Sequence, residues 1–388
     1  MMHFLISAIV FIIILALLVL AHEFGHFIVA KKSGMEVKEF GFGFPPRIFG
    51  IKKGETTYSV NWLPLGGFVK ITGEDGEEAD LSAGANAADS ANAGDAANVA
   101  NRATTGNPRS FVNKGFWARF GTLIAGVVMN VILAWFLFSI GFMFGLPTAV
   151  VPGEQLPAHA YVRSQSISIL DTSAGSPAAN AGLQTGDKIL LVDGRQFADL
   201  DSLVNFVHAQ EGKTVDLEIS RGNRSMDFKV LARQNPPAGQ GSLGVDLGYV
   251  GLLYFHPWYY SFYEGIGATW QVVQETANGI YQIFVSHQGL GAIGGPVKIA
   301  SLTGQVTTLG IAYIINFTAL LSVNLAILNV IPFPALDGGR ILFLLIEKIR
   351  GKKNNRQVEQ WFNMIGFAIL ILLIVLVSIR DVGTLIKK

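Results

Sequence analysis

The sequence predicts a polytopic α-helical membrane protein with four transmembrane helices, a short β-rich region after the first, and one small α+β domain between the second and third. Half of the 388 residues are hydrophobic and only 15% are charged, far from the balance of a soluble globular chain. Four stretches offer the ~20 apolar residues needed to cross a hydrocarbon core of ~30 Å. Between the second and third of these, residues 160–234 alternate helical and strand-like patterns with Gly-Asp and Asp-Gly turns. A net charge of +1 argues neither for nor against nucleic acid. The expected partner is the lipid bilayer, and no nucleic acid is expected. Cysteine is absent, so disulfides and thiolate metal sites are excluded and transition-metal ligands must come from His, Asp or Glu.

The first span lies within 1–34, where an apolar run from Phe4 continues through Ala30. No Lys or Arg precedes it and it runs past any cleavage point, which argues against a secretory signal peptide. Residues 35–73 include "FGFGFPPRIFG" and "TTYSVNWLPLGGFVKI". The second stretch is rich in β-formers and Gly66-Gly67 permits a tight turn, so strands or a hairpin are expected. Residues 74–110 are dominated by Ala, Asn, Gly and Asp; they cannot bury enough surface to offset chain entropy, which predicts a disordered cytoplasmic loop.

The second span falls in 111–148, the third in 305–347 and the fourth in 359–381. Aromatic rings crowd the start of 249–298, among them Tyr254, Trp258 and Tyr263. They predict an interfacial amphipathic segment near the outer leaflet, helical after Pro257. Lys31, Lys32 and Lys38 follow the first span, and Lys348, Arg350, Lys352, Lys353 and Arg356 separate the last two. Retention of positive charge places both regions in the cytoplasm and 160–234 outside with the two termini. Lys387 and Lys388 run against that rule.

"HEFGH" at 22–26 ends the first apolar run. On a helix, residues four apart share a face, so His22 and His26 can reach one ion and Glu23 can touch a water on it. Zinc hydrolysis uses that arrangement: imidazoles hold the metal, the metal acidifies water, and a carboxylate takes the proton. Ionisable groups at membrane depth are costly, which favours a functional reading over chance. A catalytic zinc takes a third protein ligand. The candidate is Asp337 in "NLAILNVIPFPALDGGR", where Pro332 and Pro334 break the third span. Spacing alone leaves Asp337 equally readable as a cap for the helix that follows.

"HEFGH", "LPLGGFVKI" (63–71), "GGPVKIA" (294–300) and "NVIPFPALDGGR" (329–340) together resemble the site-2 proteases, membrane-embedded zinc enzymes that cut transmembrane segments of other proteins. "SPAANAGLQTGDKILLVDGR" (176–195) resembles a PDZ domain. A single such domain is similar to the bacterial branch that cleaves anti-sigma factors. The resemblance implies one zinc per chain on His22, His26 and Asp337, with Glu23 as base. It implies a membrane-reentrant hairpin carrying Gly66, Gly67 and Phe68, with Asn329 and Asn130 also contacting substrate. It further implies a multi-pass protein of the bacterial cytoplasmic (inner) membrane acting on substrates with a transmembrane helix, anti-sigma factors or signal-peptide remnants. Val127 stands where that family usually has proline. A non-hydrolytic zinc-binding scaffold that captures partners through its PDZ-like domain is the competing reading, and it leaves Glu23 without a task.

Overall fold

The protein is seen here as a computed structural model that describes residues 2–74, 107–150, 155–173, 175–222, 224–237, 239–286 and 294–386. The loop expected over 74–110 therefore falls mostly outside the described residues. From the N-terminus come α1 (Met2–Lys32), β1 (Val37–Lys53), β2 (Thr56–Ile71), α2 (Phe116–Phe144), β3 (Leu146–Val150) and β4 (Ala160–Thr172). Next are α3 (Pro177–Ala181), β5 (Lys188–Val192), α4 (Leu200–Ala209), β6 (Thr214–Arg221), β7 (Arg224–Leu231) and β8 (Val245–Phe255). The chain closes with α5 (Tyr259–Ser286), α6 (Pro296–Leu309), α7 (Ile311–Val330), α8 (Asp337–Arg350) and α9 (Arg356–Ile386).

Four of these helices, α1, α2, α7 and α9, are long and apolar enough to cross a membrane. On α9 the side chains of Phe367, Leu372, Leu376 and Ile379 stay exposed. Hydrocarbon is the solvent in which such a surface is stable. The third crossing is shorter than the single segment expected over 305–347. Gly310, at φ 112°, separates α6 from α7, and residues 331–336 separate α7 from α8, since neither Pro332 nor Pro334 can donate a helical backbone bond. Asp381 on α9 reaches across to α6, where its Oδ2 accepts from the backbone N–H of Gly295 at 2.8 Å and Lys298 at 3.2 Å. A carboxylate from another helix thus satisfies donors that the first turn of α6 leaves unpaired.

The β-rich region after α1 is more folded than a hairpin. Phe40, Gly41 and Phe42 of β1 pair with Val69, Phe68 and Gly67 on one side, and with Tyr58, Ser59 and Val60 on the other. Further along, Phe49 to Lys53 pair with Val60 to Thr56. Two long, bent strands therefore make four lanes, in the order 47–53, 56–61, 37–44 and 67–71. Among the described residues the last lane is paired on one side only. A core of Met35, Val37, Ile71, Phe111, Leu123 and Leu344 seats this sheet against α2 and α8. At the turn between β1 and β2, Arg109 and Lys31 both bond Glu55, at 2.7 and 2.6 Å. Those contacts hold its carboxyl down at about 2.

The second sheet is antiparallel and six-stranded, in the order β3-β8-β4-β5-β6-β7. It corrects two boundaries. The α+β domain expected over 160–234 also takes in β3 and β8. Residues 249–255, expected to begin an interfacial segment, form the second half of β8. Leu253 and Phe255 are buried, Phe255 meets Phe142 of α2 edge-on at 5.1 Å, and Tyr254 stacks on Tyr161 at 5.2 Å. Aromatic crowding is as much a strand signal as an interface signal. Beyond it, Trp258, Tyr259 and Tyr263 are exposed at the start of α5.

Inside the domain, Ile169, Leu183, Val192, Leu203, Leu217 and Val230 form the core. Ser176 caps α3 by accepting from Ala179 N–H, and Asp199 caps α4 by accepting from Ser202 N–H. The Gly-Asp turn hides Asp187 completely, and Arg221 pairs with both of its oxygens at 2.7 Å. Phe138 and Phe142 of α2, Leu146, Leu253, Phe255, and Ala319 and Val323 of α7 share one buried cluster. The base of the sheet is thereby continuous with the helices that build the site below.

Candidate metal centre

Helix α1 carries His22 and His26 one turn apart on its buried face, each 9% exposed. Asp337 enters from the far end of the chain as the first residue of α8. Its Oδ2 lies 3.1 Å from His22 Nε2 and 3.3 Å from His26 Nε2, and the two nitrogens are 3.2 Å apart. Ligands bound tetrahedrally at ~2.0–2.1 Å from zinc stand ~3.3–3.4 Å from one another. The three atoms therefore already span a face of such a tetrahedron to within a few tenths of an ångström. Among the described residues this is the cluster whose donors could hold an ion.

Protonation supports the same conclusion. His26 Nδ1 donates to the carbonyl of Thr122 at 2.7 Å, so the neutral ring presents a bare Nε2 towards Asp337. Asp337 Oδ2 is buried without a hydrogen-bond partner. Lone pairs facing one another at this range repel unless a cation lies among them. The cap reading of Asp337 finds no support, because the cap position of α8 is Leu336, with no side-chain cap bond, and the carboxylate turns to the histidines.

Close packing brings the three side chains together. A Cβ at Gly25 would lie 2.2 Å from the carbonyl oxygen of Ala125, and one at Gly126 would lie 2.4 Å from His26 Nε2. Small residues on both helices thus let α1 and α2 approach closely. Gly338 is equally constrained, since its Cβ would meet the carbonyls of Ile331 and Val330 at 2.2 and 2.3 Å. The two residues after Asp337 must be small for α8 to fold back against the broken end of α7.

A profile of the family described as Peptidase family M50 matches residues 10–373. The chain belongs to peptidase family M50. It is similar along its length to a protein named zinc metalloprotease RasP from Geobacillus kaustophilus strain HTA426, 31% identical over 434 residues and covering 97% of each chain. The regulator of sigma-W protease RasP of Bacillus subtilis strain 168 is 29% identical over 438 residues, covering 98% of this chain and 99% of the relative. A putative zinc metalloprotease of Clostridium perfringens strain 13 / Type A is 33% identical over 371 residues, covering 94% and 95%. Among solved structures, the PDZ domain of an SdrC-like protein from Listeria monocytogenes matches 24% of this chain and 93% of its own, with a TM-score of 0.20 and 19% identity.

The remaining expected residues of this M50 chain occupy three kinds of place. Gly67 is beside Glu23, for a Cβ there would be 3.3 Å from Glu23 Cγ; Gly66, at φ 146°, is buried against Phe44. Phe68 follows in the one-sided lane and packs over Gly41. Asn329 is half-buried in the last turn of α7, before the break. Asn130 is different: it is fully buried, and its Nδ2 lies 3.4 Å from His22 Nδ1 while its Oδ1 has no partner. Ser322 of α7 donates to its backbone carbonyl at 2.7 Å. Thr122 was not legible as a site residue, because only its backbone oxygen takes part. Val127 leaves α2 helical throughout Phe116–Phe144.

Proposed function

We propose that this M50 peptidase is an intramembrane zinc metalloprotease of the site-2 type, hydrolysing peptide bonds in transmembrane segments of other membrane proteins. The carrying observation is the convergence of His22, His26 and Asp337 to hydrogen-bond range between helices apolar enough to span a bilayer. Bound by these three residues, zinc would supply Lewis acidity, polarising a carbonyl and lowering the pKa of a water towards ~7. Glu23 is placed to take a proton from the attacking water as the water oxygen bonds to the substrate carbonyl carbon, and to pass that proton to the departing amide nitrogen, so the C–N bond breaks and a carboxylate and an amine result. The scaffold reading gives Glu23 no such task. Adding a zinc chelator to the purified full-length protein should stop cleavage of a transmembrane-peptide substrate, and restoring zinc should restart it. Cleavage that continues in excess chelator would sink the reading.

A helical substrate hides its backbone groups in its own hydrogen bonds and must be unwound locally first. The 67–71 lane is open on one side and runs past Glu23, which supports capture of substrate as an added strand. Gly66, Gly67 and Phe68 would line that edge in a membrane-reentrant sheet, with Asn329 facing the same space. The name of the sigma-W relative supports a regulatory membrane protein such as an anti-sigma factor as substrate. The positive residues support a cytoplasmic α8–α9 connection and a PDZ-like domain outside an inner membrane. In this cysteine-free chain, a thiol label at Lys352→Cys should react only from the cytoplasm and one at Asp201→Cys only from outside. Labelling of both from one side would overturn the topology.

Asn130 is better placed to hold His22 than to touch substrate. The two ends of an amide are interchangeable in shape. Turned over, its buried Oδ1 would accept from His22 Nδ1–H and fix Nε2 as the bare, metal-facing nitrogen. Asn130→Ala should then weaken zinc binding ~10–100-fold in competition with a chromogenic chelator, and Asn130→Asp should largely restore it. Unchanged affinity in the alanine variant would return Asn130 to another role.

A further inference from the structure

A cavity of about 340 Å³ opens where the first turn of α2 meets the last turn of α8, away from the metal centre. That volume is in the range of small-molecule sites, ~300–1,000 Å³. Its lining is strongly basic: Lys114, Arg119, Lys348, Lys352 and Lys353 surround a single carboxylate, Glu347. The carboxylate is already committed. Arg119 binds it at two points, Nη1 to Oε1 at 2.7 Å and Nη2 to Oε2 at 3.2 Å. Among the described residues no carboxylate pairs with any of the four lysines, and Lys353 donates only to the carbonyl of Val112. Four positive charges in one concavity repel each other, and an anion relieves that repulsion.

Two further features point to a bound anion. Arg119 is largely buried, yet its Nε–H has no acceptor, and a buried donor of that kind calls for an unseen partner. The N-cap of α2 is Gly115, with no side-chain bond to the free N–H groups of the first turn, which adds donors and a positive dipole end at the same place. Lys348 is held in position by aromatic faces, its Nζ 3.9 Å from the ring centre of Phe116 and 4.6 Å from that of Trp117.

The surroundings identify which anion. Helix α2 is long and apolar enough to cross a membrane and begins at Phe116, so a cavity at its first turn falls at headgroup level. Trp117 is 74% exposed and Ile349 85% exposed beside it, apolar surfaces suited to acyl chains next to a basic pocket. We propose that this cavity binds the phosphodiester headgroup of an anionic phospholipid, bridging α2 and α8. The lipid sits at the opposite end of α8 from Asp337 and helps to fix that helix against α2.

Native mass spectrometry of the full-length protein in neutral detergent tests the site, with dioleoyl phosphatidylglycerol, dioleoyl phosphatidylcholine and inorganic phosphate as probes. Phosphatidylglycerol should bind in preference to phosphatidylcholine. Lys348→Gln, Lys352→Gln and Lys353→Gln combined should weaken it ~100-fold, at the usual contribution of each basic residue to an anionic surface. Lys213→Gln with Lys229→Gln, on the α+β domain, should leave it unchanged. Equal binding of the two lipids, retained preference in the triple variant, or an equal loss in the domain control would overturn the proposal. Displacement of the lipid by inorganic phosphate would overturn it too, by making the cavity a site for soluble phosphate.

Discussion

Glu23→Gln will abolish peptide hydrolysis and leave zinc in place. Glutamine has the shape of glutamate, so the packing of this side chain beside Gly67 is preserved. Neither ring nitrogen nor Asp337 is altered, and the metal's donors stay as they are. What disappears is the only group in the motif that can accept a proton from the attacking water and return it to the leaving nitrogen. General acid–base catalysis contributes ~10²–10⁴-fold. Glu23 is assigned both transfers, so the loss belongs at the upper end of that range. Zinc content by elemental analysis and cleavage of one transmembrane substrate, measured on the same preparation, separate the two properties. Undiminished cleavage would exclude Glu23 as the base. Loss of zinc along with activity would mean that Glu23 shapes the site instead. A zinc-dependent scaffold would keep its partners in this variant, and the M50 peptidase would accumulate uncut substrate.

The features legible in the sequence are those set by local pattern. Long apolar runs give spans, and the four-residue spacing of His22 and His26 puts both on one helical face. Pro332 and Pro334 announce the break that frees Asp337 to turn inward. Features requiring knowledge of a distant partner were harder to read. Nothing local says that β1 bends to pair with both ends of β2, since a lane order is fixed by pairing and not by propensity. Tyr249 to Phe255 satisfy the composition rule for an interface and for a strand alike, and burial against Phe142 and Tyr161 decides between them. Asn130 read as a substrate contact because the resemblance preserved the residue without showing its neighbour. Its place one layer behind His22 is a property of how α1 and α2 approach, which Gly25 and Gly126 permit.

Asp337→Ala will remove zinc and activity together without unfolding the protein. Two imidazole nitrogens remain as donors, and catalytic zinc sites are built on three protein ligands. The fold itself loses little. The carboxylate's Oδ2 has no hydrogen-bond partner, and the helix cap is Leu336, so no cap bond breaks. A negative charge at the start of α8 favours the helix by ~0.3–1 kcal/mol, a small effect against the cost of burying a carboxylate whose countercharge is gone. In excess chelator, the thermal midpoints of wild type and variant should therefore nearly coincide. Zinc should then separate them. A ligand that binds only the folded state at a thousand times its Kd adds ~4 kcal/mol of stability; the wild type should gain a rise of that order and the variant almost none. His26→Ala should lose the same zinc-dependent rise, but it also removes the buried hydrogen bond from His26 Nδ1 to the Thr122 carbonyl and should be less stable in chelator. An equal zinc-induced rise in Asp337→Ala and wild type would show that the metal is held elsewhere, and the convergence of these three side chains would lose its catalytic meaning.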